Sequence, residues 1–121
     1  MQVPILLVDD DTTGRQLRKM VLETNGHCVL AVGEAEGALR ALQNGPISLV
    51  IVDYFLGDTT SIDLAKRVRK LKPSIPILLL SGACEVVEDL EHVDGYLSKL
   101  EPIAVVENKI AELLQRGSPR A

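Results

Sequence analysis

The sequence predicts a single α/β domain built on a five-stranded parallel sheet. Three observations carry this. Short aliphatic runs alternate with stretches of helical periodicity. The runs are apolar without alternation, as strands covered on both faces require. No low-complexity linker divides the 121 residues, a length typical of one domain. Right-handed crossovers then join successive strands.

The elements follow in order. Val3–Val8 is the first strand-length run. In the helix after it, Leu17, Met20, Val21 and Thr24 share one face, with Arg15, Arg18 and Lys19 directed elsewhere, and Asn25-Gly26 is the stop. His27–Val32 is the second run. Ala35, Ala38, Leu39 and Leu42 mark the next helix, which ends at Asn44-Gly45-Pro46. The third run, Leu49–Val52, precedes a helix carrying Leu64, Ala65, Val68 and Leu71, with Thr60 or Ser61 as its cap. Ile75–Leu80 is the fourth run, and a short acidic helix is expected at Cys84–His92. After the fifth run, Tyr96–Leu97, Pro102 opens a last helix with Ile103, Val106, Ile110 and Leu113 on its apolar face. Residues 1–116 form the domain, and 117–121 read as a frayed tail.

Composition excludes several functions. With 46% hydrophobic residues the chain can bury a real core, and with Tyr54, Phe55 and Tyr96 as its only aromatics that core is aliphatic. The net charge of −4 argues against a phosphate-backbone binder, so no direct nucleic-acid partner is expected. No apolar run approaches the roughly 20 residues needed to cross a bilayer, and no signal peptide opens the chain. A cytoplasmic location without membrane contact is the expectation. Cys28 and Cys84 read as two buried thiols of a reducing compartment. The basic runs Arg15–Lys19 and Lys66–Lys70 read as solvated helix faces, and His27 and His92 have no partner suggesting catalysis or metal. No glycine-rich nucleotide-binding motif is present.

In an open parallel sheet, ligands bind beyond the carboxyl ends of the strands. The first strand runs into Asp9, Asp10 and Asp11, the third into Asp53, the fourth into Ser81 and the fifth toward Lys99. A lone Asp after a strand is often a turn residue or cap; four strand ends agreeing point to a site. Clustered carboxylates repel, and a cation relieves that cost. An all-oxygen set favours a hard ion, Mg²⁺ or Mn²⁺. With a lysine charge and a serine hydroxyl nearby, these are the parts that phosphoryl transfer uses.

Ile5-Leu6-Leu7-Val8-Asp9-Asp10-Asp11 and Leu49-Val50-Ile51-Val52-Asp53 resemble two signatures of the response-regulator receiver domain. Leu78-Leu79-Leu80-Ser81-Gly82-Ala83 and Gly95-Tyr96-Leu97-Ser98-Lys99 resemble the other two, in the right order and across nearly the whole chain. The resemblance implies a flavodoxin-like (CheY-like) doubly wound sheet in order 2-1-3-4-5. It implies a two-component or phosphorelay role with Asp53 as phospho-acceptor, becoming 4-aspartylphosphate by attack on a phosphohistidine. The donor would be a histidine kinase or histidine phosphotransfer protein, and the downstream protein is open. It further implies a metal set of Asp9, Asp10, Asp53 and the backbone carbonyl of Phe55, in which Asp10 binds Mg²⁺ directly and Asp9 holds a metal water. Ser81 would hydrogen-bond the phosphoryl group, Lys99 would pair with it, and Tyr96 would be the switch aromatic.

Three departures set further expectations. Leu100 stands where the family usually has proline, and a cis bond before a non-proline residue costs about 2.5–4 kcal/mol. A trans Lys99–Leu100 bond with a re-routed loop is therefore expected. Phe55 places a bulky apolar chain beside the acceptor, which predicts slow self-dephosphorylation. The Ser81–Lys99 segment is shorter than the family norm by about one helical turn, so the partner-facing surface is altered more than the acidic pocket. Two other readings stay open. One is a receiver-like docking module that is never phosphorylated. The other is a haloacid-dehalogenase-like phosphatase, whose DxDxT pattern Asp9, Asp11 and Thr13 fit with Asp9 as nucleophile, although it leaves Asp53 unexplained.

Overall fold

The computed structural model describes residues 2–54, 56, 59–82 and 90–116. Nine elements follow one another: β1 (Ile5–Val8), α1 (Thr12–Thr24), β2 (Val29–Val32), α2 (Ala35–Asn44), β3 (Leu49–Asp53), α3 (Ser61–Leu71), β4 (Ile77–Ser81), β5 (Gly95–Ser98) and α4 (Ile103–Arg116). The strands form one parallel sheet in order β2-β1-β3-β4-β5, the expected order. The helix expected at Cys84–His92 lies largely outside the described residues, and Glu91-His92 sits in a turn.

Side chains alternate across the sheet, so each strand feeds two cores. Leu6, Val8, Val50, Val52, Ile77 and Leu79 pack against Ala35, Ala38 and Leu42 of α2 and Leu64, Ala65 and Val68 of α3. Ile5, Leu7, Leu49, Ile51, Leu78 and Leu80 pack on the other face against Leu22 of α1 and Val106, Ile110 and Leu113 of α4. Every residue of β1, β3 and β4 is buried, which is why these runs carry no polar alternation. The edge strands β2 and β5 are only partly covered. Strand starts come later than the apolar runs suggest, because Pro4 and Pro76 offer no backbone donor to a ladder.

Helix ends obey local chemistry. The Asp11 carboxylate accepts from the Gly14 amide at 2.8 Å and caps α1. Gly26, at φ +93°, supplies the left-handed turn that follows it. Thr60, rather than Ser61, caps α3, its hydroxyl accepting from the Asp63 amide at 3.3 Å. Thr60→Ala is expected to cost about 1 kcal/mol, measurable as a lower denaturant midpoint with an unchanged slope.

Three expectations are corrected. In α1 most of the predicted apolar stripe faces water: Leu17 and Met20 are 58% and 60% exposed and only Val21 is half-buried, while Leu22 is buried and Arg15 and Arg18 are half-buried. The cap at Asp11 sets where the helix starts, and that start sets its phase. Cys28 is exposed, because it precedes the edge strand β2, and Cys84 lies outside the described residues. His27 pairs with Glu107 of α4, with Nε2 and Oε1 2.8 Å apart, a contact between β2's approach and α4 and not a catalytic or metal set. Arg69 of the second basic run is no solvated charge. Its guanidinium donates to the carbonyls of Pro73, Ile75 and His92 and pairs with Asp94 at 2.8 Å. The Asp94 carboxylate also accepts from the Ile77 amide, so one buried pair ties the end of α3 to the start of β4.

Candidate functional site

The strand ends converge as expected. Register pairs Val8 with Val52, Asp53 with Leu80, and Ser81 with Ser98, which brings the ends of β1, β3, β4 and β5 to one rim. Asp9 is buried at 3% exposure and Asp53 at 8%, while Asp10 stands exposed at the mouth. Each of the three offers an oxygen, and these oxygens lie within 4.8 Å of one another. Such an all-oxygen, three-carboxylate set fits a hard divalent ion, with room for water and phosphate oxygens.

Lys99 enters the same pocket. Its ammonium lies 2.8 Å from Asp53 Oδ1 and 4.0 Å from Asp9 Oδ2. The Lys99 amide also donates to the Ser81 carbonyl at 2.7 Å, fixing the lysine one residue beyond the β4–β5 ladder. No peptide bond among the described residues is cis, so Lys99–Leu100 is trans, and the ammonium still reaches the Asp53 carboxylate. Asp9 is held from behind: its Oδ1 accepts from the Asp11 amide and its carbonyl from Arg15 Nη1. Ser81 is fully buried, and its hydroxyl is hydrogen-bonded to the Tyr96 hydroxyl at 2.8 Å. Phe55, whose carbonyl was the fourth expected ligand, lies outside the described residues.

Burial pushes the Asp53 carboxyl above its ordinary value; the Lys99 contact opposes this and the Asp9 charge adds to it. Between the ordinary and the raised value, the folded chain keeps a proton that the unfolded chain has lost. Stability therefore falls as pH rises through that window and stays lower above it. Asp53→Asn is expected to melt at a higher temperature than wild type at pH 7 in metal-free buffer. The gap should close below the usual carboxylate range, as followed by circular dichroism.

A cleft of about 380 Å³ opens beside these groups between α1 and α4, lined by Asp9, Asp11, Arg18, Lys99 and Glu101 among others. A larger cavity of about 460 Å³ lies at the opposite rim, among Leu42, Pro46, Ile47 and Pro76, away from the carboxylates. Sequence reasoning missed Arg15 and Arg18. The signal available was spacing: Arg15 lies four residues after the Asp11 cap and Arg18 four residues before the buried Leu22, which a count of apolar residues ignores.

A five-stranded 2-1-3-4-5 sheet with paired aspartates, a third aspartate and a lysine at its carboxyl rim defines a phospho-acceptor signalling domain. The chain belongs to the response regulator receiver domain family, matched over residues 5–111. Receiver domains of this family accept phosphoryl groups, interact with histidine kinases and bind Mg²⁺ in such a pocket. Two similar relatives are the probable transcriptional regulatory protein TcrX of Mycobacterium tuberculosis and the transcriptional regulatory protein BasR of Escherichia coli. Each is 29% identical, over 94% and 93% of this chain respectively. The chain spans about half the length of these two, 50% and 52%. Among solved structures, the response regulator TrrA of Thermotoga maritima, in complex with Mg²⁺ and BeF, superposes with a TM-score of 0.86 at 28% identity. That match covers 93% of this chain and 99% of TrrA. A CheY-like receiver domain from Methylobacillus flagellatus gives 0.84 at 26% identity, covering 93% and 99%. Among the described residues no helix is long and apolar enough to cross a membrane.

Proposed function

We propose that Asp53 is phosphorylated by a phosphohistidine of a histidine kinase or histidine phosphotransfer protein, and that the modification switches a partner-binding surface. One observation carries this reading: Asp53 Oδ1 sits 2.8 Å from Lys99 Nζ inside a three-carboxylate cluster. In the transfer, an Asp53 oxygen forms the new P–O bond while the P–N bond to imidazole breaks, and the imidazole leaves with its electron pair. When bound, the divalent ion supplies charge neutralisation for carboxylate and phosphoryl oxygens that would otherwise repel. Asp10, Asp53 and the Phe55 carbonyl would hold it, with Asp9 engaging it through water. Lys99 would exchange its carboxylate contact for the phosphoryl oxygens, which carry more charge.

Ser81 would donate to the phosphoryl group, which draws its hydroxyl away from Tyr96. Because that hydroxyl is now bonded to Tyr96, the ring must find a new partner, and the β5 surface changes with it. Phe55 beside the acceptor would impede attacking water, so the phosphorylated form decays slowly. Phe55→Asn is expected to shorten its lifetime, read by quenched time points after donor removal; an equal or longer lifetime contradicts this.

Incorporation from acetyl phosphate with Mg²⁺ tests the function. Loss of labelling in Asp53→Asn with retention in Asp9→Asn is the expected result. The reverse pattern supports the phosphatase reading, and no uptake by wild type from any donor supports a docking module.

A further inference from the structure

Helix α1 runs against its own apolar pattern. Leu17 and Met20 face solvent, whereas Gly14, Arg18 and Leu22, four residues apart, form its inward row. Partly burying a guanidinium while exposing two large apolar chains is unfavourable unless the charge has something to act on. The sheet supplies it. Ile5 and Leu7 of β1 and Leu49 and Ile51 of β3 point to the face that α1 and α4 cover. The two-residue alternation carries Asp9 and Asp53 to that same face. Long helical side chains lean toward the helix N-terminus, which directs Arg18 past the bare Gly14 position toward the strand ends. A Cβ at Gly14 would stand 2.7 Å from Asp11 Oδ2 and 3.5 Å from Asp9 Oδ2, so this part of the wall is open because residue 14 is glycine.

Arg18 accordingly lines the cleft with Asp9, Asp11 and Lys99. Among the described residues no carboxylate is within ion-pair distance of it. Its pKa falls below the usual arginine value through burial, while the charges of Asp9 and Asp53 resist that fall. It is thus a cation acting on the pocket through its field, whereas Lys99 acts by contact.

We propose that Arg18 is a second cation of the acidic pocket, a positioning residue that screens Asp9 and Asp53 and thereby weakens divalent-ion binding. This rests on the reading of the pocket as a cation-assisted phosphorylation site. Screening eases the repulsion of the ion-free pocket and opposes an arriving ion, so the two effects are linked. A unit charge acting on a divalent ion across a half-hydrated cleft changes affinity by about three- to tenfold.

Mg²⁺ alone, titrated into the full chain by calorimetry, tests this with Arg18→Met, which keeps the stem without the charge, and with Arg18→Lys. Arg18→Gln repeats the neutral arm independently of how the cleft accepts methionine. The neutral variants are expected to bind Mg²⁺ about three- to tenfold tighter, Arg18→Lys close to wild type, and the gap to narrow as monovalent salt rises. A packing role would lower the melting temperature without tightening Mg²⁺. Unchanged or weaker binding in the neutral variants, or a lysine variant that behaves like them, overturns the inference while labelling of Asp53 leaves the proposed function standing. If wild type binds no Mg²⁺ and takes up no phosphate, both fall.

Discussion

Lys99→Met is expected to slow phosphorylation of Asp53 from acetyl phosphate by about a hundredfold, the usual cost of losing one group aimed at developing phosphoryl charge. The lysine lies 2.8 Å from an Asp53 carboxylate oxygen and follows a different strand, β5. The same change leaves Asp53, already 8% exposed, without its direct counter-charge. Burial then raises the carboxyl further, which favours its protonated, less nucleophilic form. Rates measured at several pH values separate these contributions. The deficit should shrink as pH rises, because ionisation of the carboxyl is then favoured in both proteins. A variant labelled at the wild-type rate throughout would remove Lys99 from the reaction.

Arg69→Met is expected to destabilise the fold by about 3 kcal/mol, an effect far from the acidic rim. Removing one partner of a buried pair is costly because the other charge stays behind. Here Asp94, with its side chain 1% exposed, keeps the Ile77 amide but loses its cation. Three carbonyls, those of Pro73, Ile75 and His92, lose their donor as well. Urea unfolding gives the number directly. Arg67→Met, whose ion pair with Glu36 is half-exposed on both sides, is the internal comparison and should change stability by less than about 1 kcal/mol. Equal effects from both substitutions would mean that the Arg69 clasp contributes nothing beyond a surface pair.

Much of the site was legible because strands speak in short words. Five aliphatic runs, four of them leading into polar residues, specify a sheet and its polar rim together, so Asp9, Asp10, Asp53 and Lys99 meet as anticipated. Helix phase is harder to read. In α2 and α3 the apolar face coincides with the buried one, apart from an exposed Leu71. In α1 the start imposed by Asp11 turns Arg15 and Arg18 inward and leaves Leu17 and Met20 in water. Arg69 illustrates a second limit. A basic run looks solvated until the fold delivers a loop carbonyl and Asp94 to the same guanidinium, contacts separated by more than twenty residues. The direct Ser81–Tyr96 hydrogen bond is similar, since residue types alone do not show that the two hydroxyls touch.

The central claim is that one buried aspartate, held by a lysine among two others, takes the phosphoryl group. Treating the protein with acetyl phosphate and Mg²⁺, trapping the acyl phosphate by borohydride reduction to homoserine, and sequencing the peptides by mass spectrometry addresses it most directly. The modification is predicted at residue 53 alone, dependent on Mg²⁺. Homoserine at residue 9 with none at 53 would contradict the account.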